Sequence, residues 1–205
     1  FQWIGLGYYR RAINLHKSAN KICTKEKFFY PKSASEWIKL PGVGSSTASA
    51  ISSFVNLERV PILDSNVLRV LSRRYKIGKN LKLASQQKKI FHKALNLIPE
   101  DKKLIPLYSQ FIMDLGSIVC KPVNPACNIC PVSFDCKAYR ENKVDFFPFV
   151  YKKSLKFNTI NWLVCLDENL ILLEKQKLGS LWGGLWTPQK ITNEKILPSN
   201  VKLIQ

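Results

Sequence analysis

The sequence predicts a mainly α-helical domain that is followed by the start of a smaller α+β domain. Apolar residues recur at helical spacing through the first 136 residues, and four cysteines close within 17 positions at the end of that region. After Phe157 the pattern changes to short apolar runs that are typical of β-strands. We therefore predict a helical domain over residues 1–136 with a cysteine loop at 117–136, a linker over 137–156 and the α+β domain over 157–205.

Six helices are predicted in the first domain from the spacing of their apolar residues and from their capping signals. They cover Tyr8–Ile22, a short helix at the capping box Ser33–Glu36, Ser45–Ser53, a helix from Ser65 onward, Leu83–Leu97 and Leu104–Val119. The turn Leu40-Pro-Gly-Val-Gly44 separates the second helix from the third, because its proline and glycines interrupt a helix. In the α+β domain we predict two strands, Thr159–Leu166 and Leu170–Leu173, around a turn at residues 167–169.

The fourth helix separates polar from apolar residues most clearly. Asp64 or Ser65 is placed to cap its N-terminus. Its apolar residues are predicted to be buried and its arginines to be exposed to solvent. The buried set is Val67, Val70 and Leu71, and the exposed set is Arg69, Arg73 and Arg74.

The composition indicates a folded protein that binds a polyanion. Hydrophobic residues make up 46% of the chain, and 32 Lys and Arg against 14 Asp and Glu give a formal net charge of +18. A solvated lysine-rich surface would give the same excess, but basic surfaces more often bind DNA, RNA or an anionic membrane. No apolar run approaches the roughly 20 residues that span a bilayer, and no secretory signal is visible. We therefore expect reduced thiols and no membrane partner.

The four clustered cysteines have the spacing of one metal centre. Cys120-x6-Cys127-x2-Cys130-x5-Cys136 places a close pair of thiols between two further thiols. Zinc and a cubane of four irons both accept four thiolates, and the spacing alone leaves the two open. Disulfides are disfavoured because the chain carries no export signal.

The turn at residues 40–44 and the aspartate that follows it are the second candidate site. In the turn, glycines permit positive φ and let backbone N–H groups approach a phosphate, although an ordinary helix–helix turn has the same composition. Twenty residues after Gly44, Asp64 follows Val60-Pro-Ile-Leu63. A fixed carboxylate can stabilise the positive charge that develops on a sugar when its glycosidic bond breaks. The alternative role of Asp64 is that of a simple helix cap.

Taken together, these motifs resemble the endonuclease III and MutY family of helix-hairpin-helix DNA glycosylases. The resemblance rests on the cysteine spacing after Met113-Asp-Leu-Gly116, on the hairpin, and on Asp64 with Asn66 and Arg69 beyond it. It implies a [4Fe–4S] cluster on the four cysteines, and DNA contacts by Gly42, Val43 and Gly44. It also implies base excision at Asp64 with Asn66 beside it.

Other positions are similar to the MutY branch of this family. Ser46 stands where the lyase members carry a lysine, and a hydroxyl cannot form a Schiff base, so the resemblance implies hydrolysis without strand cleavage. The segment Trp3–His16 is similar to the MutY segment near the lesion strand. Its DNA-contact candidates are Tyr8, Tyr9 and Arg11, the alternative for the two tyrosines being a place in the core. Gln110 falls near the adenine pocket of the family, and Gly179–Leu185 resembles the start of its Nudix-like domain.

The resemblance implies removal of adenine from A:8-oxoguanine or A:G mispairs in double-stranded DNA. In that branch, the glutamate that protonates adenine lies upstream of the segment matching Trp3–Tyr9. We therefore expect this chain to be a fragment that is nearly inactive alone. The reason is that general acid catalysis raises the rate of such a step roughly 10²–10⁴-fold. Two alternatives stay open: an endonuclease III-like lyase, and a non-catalytic DNA-binding module that carries a cluster. We expect a monomer in the bacterial cytoplasm, associated with the nucleoid.

Overall fold

The computed structural model of the chain describes residues 3–5, 7–23, 30–78, 83–148 and 157–191. Residue contacts divide the chain into two compact units, Phe1–Tyr151 and Lys152–Gln205. The boundary between them falls inside the segment that the sequence predicts as a linker.

The regular structure among the described residues of the first unit is helical. Its helices are α1 (Arg10–Cys23), α2 (Ala34–Trp37), α3 (Ser45–Ile51), α4 (Ser65–Tyr75), α5 (Ala84–Leu95), α6 (Ile105–Asp114) and α7 (Lys137–Arg140). Wider π-helical turns extend α3 over Ser52–Asn56 and α6 over Leu115–Val119, while short 3₁₀ turns lie at Lys102–Leu104, Cys127–Ile129, Ser133–Asp135 and Val144–Phe146. The six predicted helices are therefore confirmed, and α7 is an addition to them. None of the helices among the described residues has the length and apolar character needed to cross a membrane.

Helix α4 lies at the centre of the main core. Its Val67, Val70 and Leu71 are buried, as predicted, and pack with Ile90 and Ala94 of α5 and with Ile112 and Leu115 from the α6 segment. Each large apolar side chain in this set contributes about 1.5–3 kcal/mol by its burial. A second, smaller cluster joins Trp37 and Leu40 to Ala48, and so holds α2 against α3 across the turn.

The prediction that the arginines of α4 are exposed is wrong for two of the three. Arg69 is 8% exposed and Arg73 is 3% exposed, whereas Arg74 stays near the surface and forms an ion pair with Asp135 at 2.6 Å. The reason is that the guanidinium groups of Arg69 and Arg73 find carbonyl partners more than 40 residues along the chain. A buried charge is tolerated when its donors are satisfied in this way.

The predicted capping box at the start of α2 is also wrong. The Ser33 side chain makes no capping bond to the helix, and the Glu36 carboxylate accepts from the Lys32 N–H at 2.7 Å. Instead Glu58 Oε2 accepts from the Ala34 N–H at 2.6 Å and from the Ser52 hydroxyl. A residue from a distant turn therefore satisfies the exposed N–H of this helix.

Part of the predicted linker has regular structure. Ala138 of α7 is fully buried, and the carbonyls of Val144 and Phe147 both accept from Arg73 Nε, at 3.2 and 3.0 Å. Residues 137–147 therefore pack as part of the helical unit rather than as an irregular linker.

The second unit contains six short strands within residues 157–191. They are β1 (Asn161–Leu163), β2 (Leu166–Asp167), β3 (Leu170–Ile171), β4 (Glu174–Lys175), β5 (Trp186–Thr187) and β6 (Gln189–Ile191). They form three antiparallel pairs, β1–β6, β2–β3 and β4–β5, with Leu166 opposite Ile171 in the second pair. The predicted hairpin around residues 167–169 is confirmed, while the predicted strand Thr159–Leu166 is divided between β1 and β2. The remainder of the predicted domain, residues 192–205, lies outside the described residues.

Candidate functional site

The hairpin between α2 and α3 presents its glycines to solvent. Gly42 has a φ of +77°, in the left-handed region that favours glycine, and Gly44 precedes α3 with its carbonyl accepting from the Ala48 N–H at 2.8 Å. Both glycines are exposed, whereas Val43 is half-buried and packs on the Trp37–Leu40–Ala48 cluster. The apolar side chain thus anchors the turn and leaves its backbone open on the surface.

Helix α1 is fastened to this hairpin by polar contacts. Ser18 Oγ donates to the Pro41 carbonyl at 3.0 Å, and Lys21 Nζ donates to the Lys39 carbonyl at 2.7 Å. A Cβ placed on Gly42 would lie 2.5 Å from Asn14 Nδ2, so the two elements approach more closely than any side chain at residue 42 would allow. The structure therefore brings the N-terminal segment and the hairpin together.

The aromatic residues before α1 lie on the surface and not in the core. Tyr8 is 85% exposed and has a φ of +46°, and Tyr9 is 52% exposed. The Arg11 guanidinium lies over the Trp3 ring, 5.6 Å from its centroid. The two tyrosine rings are therefore available to stack on an external partner.

Asp64 caps α4 with one of its two carboxylate oxygens. Its Oδ1 accepts from the Val67 N–H at 2.7 Å, while Oδ2 makes no hydrogen bond within the described part of the chain. The carboxylate is half-buried. The cap fixes the orientation of the group and leaves its second oxygen free, so capping and chemistry are compatible in the same residue.

A chain of hydrogen bonds joins the neighbourhood of Asp64 to the cysteine loop. Arg69 Nη2 donates to Asn66 Oδ1 at 2.8 Å and to the Gly116 carbonyl at 2.6 Å, and Arg69 Nε donates to the Cys120 carbonyl at 2.7 Å. Burial lowers the pKa of Arg69. A Cβ on Gly116 would lie 2.8 Å from the Asn66 Cβ, which explains why glycine ends the Met-Asp-Leu-Gly sequence.

The four cysteines of the loop surround one cavity. It measures about 290 Å³ with its open mouth included, and its lining includes Arg73, Cys120, Cys127, Cys130, Cys136 and Tyr139. Among the described residues no group of three or more His, Cys, Asp or Glu is close enough to hold a single metal ion. Four cysteine sulfurs around a shared space are a donor set that a cluster of four irons accepts, and zinc accepts the same set.

Two thiols of this cavity, Cys127 and Cys136, resist ionisation. Burial and then the neighbouring cysteines raise the pKa of Cys127, and burial raises the pKa of Cys136. Since metal centres bind thiolates, assembly of a centre at these sulfurs would release protons.

The two remaining predicted residues lie on separate helices. Ser46 is half-buried in the first turn of α3, and Gln110 is exposed on α6, where its Nε2 donates to Asp114 Oδ1 at 2.9 Å. Sequence reasoning missed the contributions of Asn14, Arg73 and Glu58, because their partners are distant in the sequence. A weak signal was present, since Arg69 and Arg73 are four residues apart and so share a face of α4.

Comparison with known proteins agrees with this arrangement. No family model matches the chain. Among curated proteins, the adenine DNA glycosylase of Buchnera aphidicola subsp. Baizongia pistaciae is 39% identical over 206 residues, which cover 95% of this chain and 55% of that protein. The adenine DNA glycosylase of Schizosaccharomyces pombe is 35% identical over 69% of this chain and 31% of its own length. The chain thus spans about half the length, or less, of these relatives.

Solved structures give the same result for the fold. A thermostable thymine-DNA glycosylase has a TM-score of 0.53 at 27% identity, over 64% of this chain and 59% of that one. A trapped covalent complex of endonuclease III with DNA has a TM-score of 0.52 at 27% identity, over 69% of this chain and 63% of that one. The fold is therefore similar to that of endonuclease III and other helix-hairpin-helix DNA glycosylases. Within that class, the chain is a homologue of the adenine DNA glycosylases over most of its length.

Proposed function

We propose that this chain is part of a monofunctional adenine DNA glycosylase that acts in base-excision repair. The observation that carries the proposal is the state of Asp64, whose Oδ1 is held by the Val67 N–H while Oδ2 is left without a partner among the described residues. A carboxylate that is fixed in this way needs no reorganisation when positive charge develops beside it. The homology to adenine DNA glycosylases supports the choice of base.

In the proposed reaction, a flipped adenine leaves from the deoxyribose as its N-glycosidic bond breaks. The departing adenine takes the electron pair of the broken bond and a proton, while Asp64 stabilises the oxocarbenium-like sugar. Water then adds to the sugar carbon and gives up a proton, so that one water is consumed for each adenine released. Asn66, bonded to Arg69, keeps its place beside the start of α4. Ser46 offers a hydroxyl where a lyase needs an amine, so the product keeps an intact strand.

The cysteine cavity is proposed to hold a [4Fe–4S] cluster. Cys120, Cys127, Cys130 and Cys136 would be its ligands, in keeping with sulfurs that surround a shared cavity. When bound, such a group crosslinks its loop and carries out no step of the glycosidic cleavage. Because the four ligands are spread over residues 120–136, binding of the cluster would hold this part of the backbone in one conformation.

The DNA is proposed to lie across the hairpin and the start of α1. Gly42, Val43 and Gly44 would approach a phosphate with their backbone, and Tyr8 and Tyr9 would stack on bases, with Arg11 nearby. Gln110 would border the adenine pocket. The proposed substrates are A:8-oxoguanine and A:G mispairs, with the second unit contributing 8-oxoguanine recognition as the start of a Nudix-like domain. A monomer in the bacterial cytoplasm, associated with the nucleoid, completes the proposal.

Adenine release from duplexes tests this function. The full-length gene product that contains this chain should release adenine from A:8-oxoguanine and A:G duplexes and not from A:T, and Asp64→Asn should abolish that release while duplex binding persists. Ser65→Ala is the matched control, because it changes a neighbouring exposed residue and leaves the Asp64 cap intact.

Other outcomes would point to the alternatives. A DNA adduct trapped by borohydride would indicate a lyase. Salt-sensitive duplex binding without any base release by the full-length protein would indicate a non-catalytic module. Release by Asp64→Asn at the parent rate would contradict the role of the aspartate.

A further inference from the structure

Arg73 is the most completely bonded side chain around the cysteine cavity. Its Nε donates to the carbonyls of Val144 and Phe147. Its Nη1 donates to the Lys121 carbonyl at 2.7 Å and to Cys120 Sγ at 3.3 Å, and its Nη2 donates to the Pro122 carbonyl at 3.1 Å. One guanidinium thus connects α4 to the chain just after Cys120 and to the chain beyond α7.

Among the described residues, this buried cation has no carboxylate partner. Arg73 is only 3% exposed, and the ion pairs of the described residues involve Arg74, Lys76 and Lys143 instead. Five hydrogen bonds engage four of its five N–H groups, because two carbonyls share the Nε–H, but carbonyl dipoles and a thiol do not neutralise its charge. A buried charge without a counter-ion costs free energy of folding. The Arg73 side chain lines the cavity that the four cysteines surround, so a counter-ion for it would have to lie there.

Neighbouring arginines do not share this position. Arg69 reaches only the carbonyls of Cys120 and Gly116 and the amide of Asn66, and it is not among the residues that line the cavity. Arg74 points to the surface and pairs with Asp135. Of the three, Arg73 alone lines the cavity and donates directly to a cysteine sulfur.

We propose that Arg73 is a positioning residue that supplies the counter-charge and one N–H donor for an anionic thiolate-ligated cluster held by the loop. This inference rests on the proposed [4Fe–4S] group. The guanidinium fixes the loop through backbone carbonyls on both sides of the cavity, so that the sulfurs stand ready for the irons. Its charge also favours the more negative, reduced form of the cluster, because hydrogen bonds and charges near the sulfurs set the reduction potential.

Three variants of the full-length protein test the proposal. Arg73→Gln removes the charge and most of the bonds, and Arg73→Lys keeps the charge without the planar fork of donors. Arg74→Gln is the matched control, because it too removes a guanidinium that bonds the cysteine loop, at Asp135, but from outside the cavity. The measurements are iron and acid-labile sulfide per chain after anaerobic reconstitution, the rate of iron loss to a chelator, and the reduction potential by voltammetry.

The expected result is a loss of iron from Arg73→Gln that is about tenfold or more faster than from Arg74→Gln, the lower end of what outer partners of metal ligands contribute. Its potential should shift to more negative values. Arg73→Lys should keep a potential close to the parent and lose iron at an intermediate rate. Arg74→Gln should match the parent in both measurements.

Each contrary outcome is separable. Arg73→Gln with the iron retention and potential of Arg74→Gln overturns the inference while the proposed cluster stands. If Arg73→Gln does not fold, Arg73→Lys decides: faster iron loss than Arg74→Gln supports the proposal, and equal loss overturns it. A parent protein that takes up no iron and sulfide overturns the proposed cluster itself, and the role of Arg73 with it.

Discussion

At the scale of single residues, the molecule relies on atoms that have more than one task. Asp64 uses one oxygen to cap α4 and keeps the other unbonded, and Arg69 uses one guanidinium to hold both Asn66 and the backbone of the cysteine loop. Gly42 serves the turn with its positive φ and serves α1 by leaving room for Asn14. A substitution at such a residue loses stability for more than one reason, and comparison with a matched variant measures each contribution to the free energy of unfolding.

Gly42→Ala should be strongly destabilising for two additive reasons. The left-handed backbone costs an alanine about 1–2 kcal/mol, and the overlap with Asn14 adds about 1–3 kcal/mol. Gly5→Ala is the control, since Gly5 has a φ of +81° with no atom within 4 Å of the added Cβ. Urea unfolding should therefore give a loss of roughly 2–5 kcal/mol for Gly42→Ala and a clearly smaller one for Gly5→Ala. Equal losses would mean that α1 does not press on the hairpin.

Tyr108 should make stability fall at alkaline pH. Burial raises the pKa of Tyr108 to about 12, while an unfolded tyrosine ionises near pH 10. The contribution of the neutral phenol is complete below pH 10 and is lost as the pH rises towards 12, since only the unfolded state releases the proton in that window. The loss amounts to at most about 2–3 kcal/mol.

The measurement is urea unfolding at pH 8.5 and pH 11 for the parent, Tyr108→Phe and Tyr9→Phe. Tyr108→Phe should show a smaller fall in the free energy of unfolding than the parent, and Tyr9→Phe, at an exposed ring, should fall as the parent does. A parent and Tyr108→Phe that lose the same stability would refute the assignment.

At the scale of elements, α4 organises the first unit. One face supplies the core residues Val67, Val70 and Leu71, and another sends Arg69 and Arg73 to the cysteine loop. The helices were predictable because apolar periodicity is a local property of the sequence. The burial of the arginines could not be predicted, because their carbonyl partners lie 47 to 74 residues away. Every residue has a backbone carbonyl, so the sequence does not indicate which carbonyls accept these bonds.

The cap of α2 illustrates the same limit. Local spacing suggested Ser33 and Glu36, but Glu58 comes from 24 residues beyond Ala34 to accept its N–H. The candidate site was more accessible to sequence reasoning than these supports, because Asp64, the hairpin glycines and the cysteines are set by chemistry and short spacing. The contacts that join these residues depend on tertiary packing and could not be predicted. Examples are the close approach of Asn14 to Gly42 and the hydrogen bond from Arg69 to the Gly116 carbonyl.

Removal of the Glu58 carboxylate should therefore destabilise the helical unit more than removal of the Ser33 hydroxyl. Glu58→Ala leaves the Ala34 N–H without its acceptor and leaves the Ser52 hydroxyl with Asn56 Oδ1 alone, at a cost of about 1–3 kcal/mol. Ser33→Ala, which removes no capping bond, should stay within about 0.5 kcal/mol of the parent. Thermal unfolding of the two variants provides the comparison. A larger loss of stability for Ser33→Ala than for Glu58→Ala would mean that Ser33 does cap α2.

At the scale of the whole molecule, the first unit carries most of the positive charge. Residues 1–151 hold 24 Lys and Arg against 10 Asp and Glu, so most of the net charge of +18 accompanies the hairpin and the cysteine loop. Such an excess attracts duplex DNA in a salt-dependent manner, because each phosphate contact releases counter-ions. The same charge does not choose between sequences, so the proposed recognition of a mispair would depend on shape and stacking at the surface that Tyr8, Tyr9 and the hairpin form.

If the start of α1 lies on the DNA backbone, Arg10 should contribute to the salt dependence. Arg10 is exposed at the first position of α1, next to the two tyrosines. Arg10→Gln should weaken duplex binding about equally for mismatched and matched DNA, and it should reduce the slope of log affinity against log salt by about 1.

Lys143→Gln is the control, because it removes the same charge from a side chain that Glu141 already partly neutralises, at 3.4 Å. Its slope should therefore stay close to that of the parent. Fluorescence anisotropy between about 50 and 200 mM salt, the range over which phosphate contacts are sensitive, measures both slopes. Equal slopes for Arg10→Gln and the parent would remove the start of α1 from the DNA-binding surface, since a phosphate contact cannot be lost without its counter-ion term.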